Sequence, residues 1–172
     1  MSEANPRGAS TADTEPRDER ARGRELALLA LCHLESYPAS EHAAAIPLVL
    51  DAPPSGDGDD EDAFAQLARS TDVRARAEEL VALWSTRRDE IDALIESTSR
   101  SWRLSRMDRV DRNIVRLAAT ELLARADVPR AAVLSEAVRL ASRYGSELSA
   151  AFVNGLVEDL AKRVRPEPGA GA

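Results

Sequence analysis

The chain has 172 residues, of which 44% are hydrophobic but only 3% aromatic, and its net charge is −7. One ordinary domain with tails fits that length, and a core built from Leu, Val, Ile and Ala has an intrinsic preference for helix. The negative balance excludes a chain-wide electrostatic attraction to nucleic acid, so any such binding must come from a local cluster of cations.

Residues 1–16 hold Ser, Thr, Pro, Gly and acids without periodicity and are expected to form a disordered tail. From Arg17 the chain reads as helix. Leu26 to Cys32 is apolar at every position, which describes a helix surrounded by protein on nearly all sides. A second helix is expected over about Glu41 to Leu50. Asp51 to Asp62 follows, with Pro-Pro, two Gly and a dense run of acids, and reads as an acidic mobile insertion. Helical pattern resumes near Phe64, with Val73, Ala77, Leu80 and Trp84 at spacings of three and four. A break at Ser85 to Asp89, capped by Thr86 or Asp89, separates these from Ile91, Leu94 and Ile95.

Beyond Trp102 a helix is expected from about Ser105 to Ala124, with Val110, Ile114, Leu117 and Leu122 turned inward. Asp127-Val128-Pro129 makes a tight connection, with the proline near the first turn of the next helix. That helix, about Pro129 to Tyr144, stops at Gly145 as a C′ residue. The last, from about Ser146, ends at Val164 ahead of Pro166, and 165–172 reads as a second tail. No alternating β-branched run appears. The fold class is therefore all-α: one domain over 17–164, a compact bundle of six or seven helices.

The single cysteine, Cys32, excludes an internal disulfide and is expected to be a buried, inert thiol. His33 and His42 lack the neighbours of a metal site. No apolar run approaches the roughly 18 residues that span a bilayer, and the N-terminus is polar rather than signal-like, so a cytoplasmic location is expected. Phosphate-loop, dinucleotide-binding and nucleophile-elbow motifs are absent, and carboxylates such as Asp108 and Asp111 alternate with Arg109 and Arg112 at surface spacing. The sequence therefore points away from an enzyme and calls for no cofactor or metal.

Two features remain for binding. Arg17, Arg20 and Arg24 fall on one helical stripe with Arg22 to the side, a basic patch interleaved with Asp18, Glu19 and Glu25. It reads either as a nucleic-acid footprint or as a solvated helix end. Tyr144 and Phe152 lie near the junction of the last two helices, where each ring either stacks on a base or fills the core. Gly155, inside the last helix, costs about 1 kcal/mol relative to Ala and implies that a helix or ligand comes close.

Several segments together resemble the NusB family of bacterial transcription antitermination factors. They are Ala21-Arg22-Gly23-Arg24-Glu25-Leu26-Ala27, Asp111-Arg112-Asn113-Ile114-Val115-Arg116-Leu117-Ala118, Asp127-Val128-Pro129, Glu136-Ala137-Val138 and Phe152-Val153-Asn154-Gly155. The resemblance implies a helical protein that binds the boxA element, a single-stranded RNA of nascent ribosomal RNA leader transcripts, together with the ribosomal protein NusE. It implies, further, assembly with other Nus factors on RNA polymerase, which then resists Rho-dependent termination. RNA contacts carry over onto Arg20, Arg22 and Arg24 and onto Tyr144 and Phe152. The NusE surface carries over onto Asp111, with Ser105, Arg106 and Asp108 added by proximity. The chain departs from the family at Cys32, where a Tyr is frequent, at Leu148, where an acid is frequent, and in its longer acidic insertion. These departures keep open an alternative, a NusB-like protein-interaction module with little or no RNA binding. A third reading, the NusB-like domain that fronts certain ribosomal RNA cytosine methyltransferases, needs an α/β domain for which a chain ending at Ala172 is expected to have no room.

Overall fold

The apolar run near the N-terminus organises the molecule. In the computed structural model, which describes residues 15–51 and 59–167, α1 spans Glu15–Leu34. Leu26, Ala27, Leu28, Ala30, Leu31 and Leu34 along it are all but fully buried. Each buried leucine contributes about 1.5–3 kcal/mol relative to exposure, so this helix is the spine of the core. The chain continues through a 3-10 turn (Ala39–Glu41), α2 (His42–Asp51), α3 (Asp59–Ala68) and α4 (Thr71–Thr86). Then come α5 (Arg88–Thr98), a second 3-10 turn (Leu104–Arg106), α6 (Arg109–Ala124), α7 (Arg130–Tyr144) and α8 (Ser149–Val164). No strand occurs among the described residues.

Packing follows the hydrophobic stripes. α1 lies along α4, which presents Val73, Ala77, Leu80, Val81 and Trp84, and it also touches α2, α3 and α6. The crossing with α4 is close at Gly23, where a Cβ would stand 2.9 Å from the Arg76 Cβ. α6, α7 and α8 pack on one another, and α5 rests against α6 and α8. α6 joins the two groups: apart from Arg112, it is buried at every residue from Asp111 to Leu122.

The expected helices are present, with eight in place of six or seven among the described residues. Most of the first tail, the centre of the insertion (52–58) and 168–172 lie outside the described residues. The boundaries that can be compared move. α1 starts at Glu15, inside the expected tail. α3 begins at Asp59, so the acids from Asp59 to Asp62 belong to a helix rather than a loop; an acid-rich sequence suits the positive end of a helix dipole. The break before α5 is where it was expected, but its cap is Arg87 without a side-chain bond, not Thr86 or Asp89. Ser105 lies in the 3-10 turn, and α6 starts only after Asp108, its N-cap.

α7 stops at Gly145 as expected, but neither glycine of the C-terminal hairpin is there for the expected reason. Gly145 closes α7 with an extended backbone (φ −90°, ψ −172°) rather than a left-handed one. What requires glycine is space, because a Cβ there would sit 2.4 Å from the Ser149 Cβ and 2.6 Å from the Ala141 carbonyl oxygen. Gly155 is the reverse case. It is exposed, and nothing lies within 4 Å of where its Cβ would be, so no part of the described fold approaches it.

The expected second tail is also too early by at least one residue. Arg165 donates to four backbone carbonyls: Nε to Leu122 (2.8 Å), Nη1 to Val128 (2.7 Å), and Nη2 to Glu121 and Arg125 (2.7 Å each). Three of these belong to the last turn and C-cap of α6, where the guanidinium adds to the backbone bonds already made to Glu121 and Arg125 and supplies a donor to Leu122.

Candidate nucleic-acid and partner interface

The basic patch on α1 divides by helical angle. Arg24 is only 7% exposed, and its guanidinium is spent on Glu121 of α6, with Nε at 2.9 Å and Nη2 at 2.8 Å from the two carboxylate oxygens. The sequence placed it on an RNA-facing stripe; the structure turns it inward as a buried ion pair. Arg20 is exposed and lines a small hollow with Arg76, Glu79, Arg125 and Asp127. Arg22 lines a different and larger cleft, toward α3 and α7. The expected single patch is therefore two surfaces with a buried pair between them.

That larger cleft measures about 390 Å³ and is lined by Ala21, Arg22, Glu25, Gln66, Leu67, Arg139 and Arg143. Glu25 forms its floor at 5% exposure. The Tyr144 hydroxyl donates to the Glu25 carboxylate, and burial together with that carboxylate holds the phenol above its usual range. Arg143 and Arg139 reach the same carboxylate at 3.1 and 3.5 Å. Arg139 also pairs with Glu136 at 3.1 Å and donates to the Ala21 carbonyl oxygen at 3.2 Å. The Arg143 guanidinium carbon lies 5.4 Å from the centre of the Tyr144 ring, within cation–π range. Arg139 and Arg143 escaped the sequence reading. Their signal was available, since two arginines four apart on a helix that ends in Tyr144 must share its face.

Phe152 does not join Tyr144. Its ring, half-buried, meets Trp102 edge-on at 6.2 Å, and Trp102 (53% exposed) and Leu148 (79% exposed) are among the large apolar side chains that face solvent. The two aromatic candidates thus belong to different surfaces.

At the far end of α1, Glu35 receives Arg112 through two bonds of 2.7 Å, Arg116 at 3.0 Å and the Asn113 amide at 3.1 Å, with Arg109 at 3.3 Å. Arg116 continues to Asp92 of α5 through two bonds of 2.8 Å and lies over the Trp84 ring. Burial pushes the Glu35 carboxyl up, but the Arg112 bonds and charge, with Asn113 and Arg116, outweigh it and hold it below the usual range. Cys32 beside this group is pushed up to about 11 by burial, as an inert thiol should be.

The residues expected to face a protein partner separate too. Ser105, Arg106 and Asp108 are exposed on the 3-10 turn and at the start of α6. Asp111 is not on the surface: it is 6% exposed, and its Oδ1 is buried without a hydrogen-bond partner. No group of His, Cys, Asp and Glu among the described residues could hold a metal ion, and no described helix is long and apolar enough to cross a membrane.

Comparison with known proteins places this geometry. Residues 21–162 match the model of the NusB family. The chain is 44% identical over 142 residues to the transcription antitermination protein NusB of Myxococcus xanthus, covering 83% of this chain and 94% of that protein. It is 41% identical to the corresponding protein of Sorangium cellulosum, with coverage of 84% and 93%. Among solved structures it resembles T. maritima NusB, with a TM-score of 0.62, 29% identity and coverage of 83% and 90%. It shares its fold with a chain from a crystal structure of the antitermination factors NusB and NusE with double-stranded RNA, with a TM-score of 0.62, 22% identity and coverage of 85% and 98%. With an all-helical fold, a divided arginine cluster on its first helix and a match spanning nearly every described element, the chain belongs to the NusB family of transcription antitermination proteins.

Proposed function

We propose that the protein acts in antitermination by binding boxA-type single-stranded RNA of ribosomal leader transcripts in company with NusE, without catalysing a reaction. In that role it joins other Nus factors on RNA polymerase and opposes Rho-dependent termination. Family membership supports the reading, as does the fold shared with a NusB that was crystallised with NusE and RNA. The observation that carries it is the cationic cleft beside Tyr144, with Arg22 on its rim. Arg20 serves an adjoining surface, and Arg24 acts from beneath by fixing α1 against α6. Phe152, paired with Trp102, offers a separate surface for a base. Ser105, Arg106 and Asp108 form the exposed part of the NusE-facing surface. Asp111 lies beneath it, with an acceptor oxygen that a donor from the partner can satisfy.

The exposed Trp102 and Leu148 favour a second reading, a protein-interaction module with little RNA affinity. Fluorescence anisotropy of labelled boxA RNA, with and without NusE at two salt concentrations, separates the two. Salt-sensitive binding that tightens with NusE is expected, because each phosphate neutralised by Arg releases counterions. Association with NusE but not with RNA under any of these conditions would sink the first reading in favour of the second.

A further inference from the structure

We propose that the small hollow between α1, α4 and the α6–α7 turn is a binding site for a single monovalent anion of halide size. The hollow measures about 30 Å³, enough for a guest of water or halide dimensions. Its floor is made by Leu80, Val128 and the buried Arg24–Glu121 pair. Arg20, Arg76 and Arg125 stand around it with Glu79 and Asp127. All three carboxylates are answered: Glu121 by Arg24 at 2.8 Å, and Glu79 and Asp127 by Arg125 at 2.7 and 3.0 Å. Arg125, and to a smaller degree Arg20, holds the Asp127 carboxyl below its usual range. Arg20 and Arg76 enter no ion pair among the described residues, so the hollow keeps four guanidinium groups against three carboxylates.

Arg76 is built into this place. A Cβ on Gly23 would stand 2.9 Å from the Arg76 Cβ and 3.5 Å from its Cδ, so the Arg76 stem lies directly on the α1 backbone because residue 23 has no side chain. The Arg76 Nε is buried and has no acceptor among the described residues. A buried donor left unanswered is costly, the more so on a charged group. A water would answer the hydrogen bond and leave the surplus charge; a monovalent anion answers both. Glu79 and Asp127, with 54% and 63% of their side chains exposed on the rim, repel the outer oxygens of a phosphate or carboxylate ligand, which favours a compact halide. With the ion between them, Arg20 of α1 and Arg76 of α4 share a partner instead of repelling each other.

The test uses the intact chain and chloride, and its outcome is independent of RNA and NusE binding. Thermal midpoints are measured in sodium chloride and in sodium gluconate at equal ionic strength, gluconate being too bulky for the hollow. The linewidth of the chloride NMR signal is followed as protein is added. With chloride about tenfold above its dissociation constant, the parent's midpoint should stand about 3 °C higher than in gluconate, and the chloride line should broaden. Arg76→Gln should lose at least half of the midpoint difference together with the broadening. Arg76→Lys keeps the charge but not the Nε donor and should lose nearly as much, which separates a built site from attraction to net charge. Arg20→Gln, at an exposed position, should weaken chloride binding severalfold and serves if both Arg76 variants fail to fold. Arg87→Gln, at an ion pair on the α4–α5 junction, should keep both signals. A parent with no chloride-specific shift or broadening would mean that the hollow takes water only. A parent-like response in the Arg76 variants, or in Arg20→Gln where it stands in for them, would place the chloride elsewhere. Either result overturns the assignment.

Discussion

Two carboxylates ten residues apart, one inside α1 and one just past its end, use arginine for opposite ends. Glu35 is held tightly: Arg112, Arg116 and Asn113 bond it at 2.7–3.1 Å, Arg116 is tied onward to Asp92, and the mostly exposed Arg109 adds a contact at 3.3 Å. Glu25 is served more loosely, by the Tyr144 hydroxyl and by two arginines at 3.1 and 3.5 Å, one of which keeps more than half its side chain in water. Buried cations with several bonds each, such as Arg112 and Arg116, serve stability. A node whose cations have spare donors can hold the protein together and still greet an anion.

The contrast can be broken by mutation. The largest effect is expected for Glu35→Ala, which takes the carboxylate partner from Arg112, leaves Arg116 with Asp92 alone and should cost about 3 kcal/mol, read from urea unfolding. If that loss is under about 1 kcal/mol, the Glu35 group is no lock. Next comes its pH dependence. The Glu35 carboxyl is held below its ordinary value in the folded state, so its stabilisation is present above the ordinary carboxylate range and fades as pH falls through the lowered folded value. Thermal midpoints measured from pH 7 downward should therefore fall less steeply in Glu35→Gln than in the parent.

At the other node, Tyr144→Phe removes one buried hydrogen bond and should cost about 1 kcal/mol at neutral pH. The phenol is held above its ordinary value, so its stabilisation is present below about pH 10 and is lost as pH rises through the raised folded value. An alkaline limb as steep in Tyr144→Phe as in the parent would show that the bond to Glu25 is not what holds the phenol. The smallest stability effect belongs to Arg143→Gln, about 0.5 kcal/mol or less for a half-exposed pair.

Much of the bundle was legible because its signals are local. Apolar periodicity placed α1, α4, α6, α7 and α8, and the all-apolar Leu26–Cys32 run identified the central helix. What stayed hidden depended on which neighbour stands opposite. Nothing within α1 distinguishes Arg24, paired with Glu121 across the core, from Arg22, which lines the cleft; the two differ by the angle of two residues on a helix. Asp111 shows the same blindness, since surface-like charge alternation concealed its burial. Exchanging Arg20, Arg22 and Arg24 for Ala together is therefore not a clean binding test, because losing Arg24 leaves Glu121 as a buried unpaired charge. Gly155 misled in the other direction. With open space around it, Gly155→Ala should raise stability by about 0.5–1 kcal/mol, and a concurrent loss of NusE or RNA binding would mean that the close approach comes from a partner.

The Arg165 guanidinium has a consequence for biosynthesis. Until residue 165 clears the ribosomal exit tunnel, the carbonyls of Leu122 and Val128 lack this donor, and those of Glu121 and Arg125 have only their local backbone partners, the Arg125 and Val128 amides. The nascent chain can zip α1 against α4 early, and the α6–α7 connection has its own backbone bonds, but the guanidinium clasp that ties it to the chain after α8 can form only once the last helix has been synthesised.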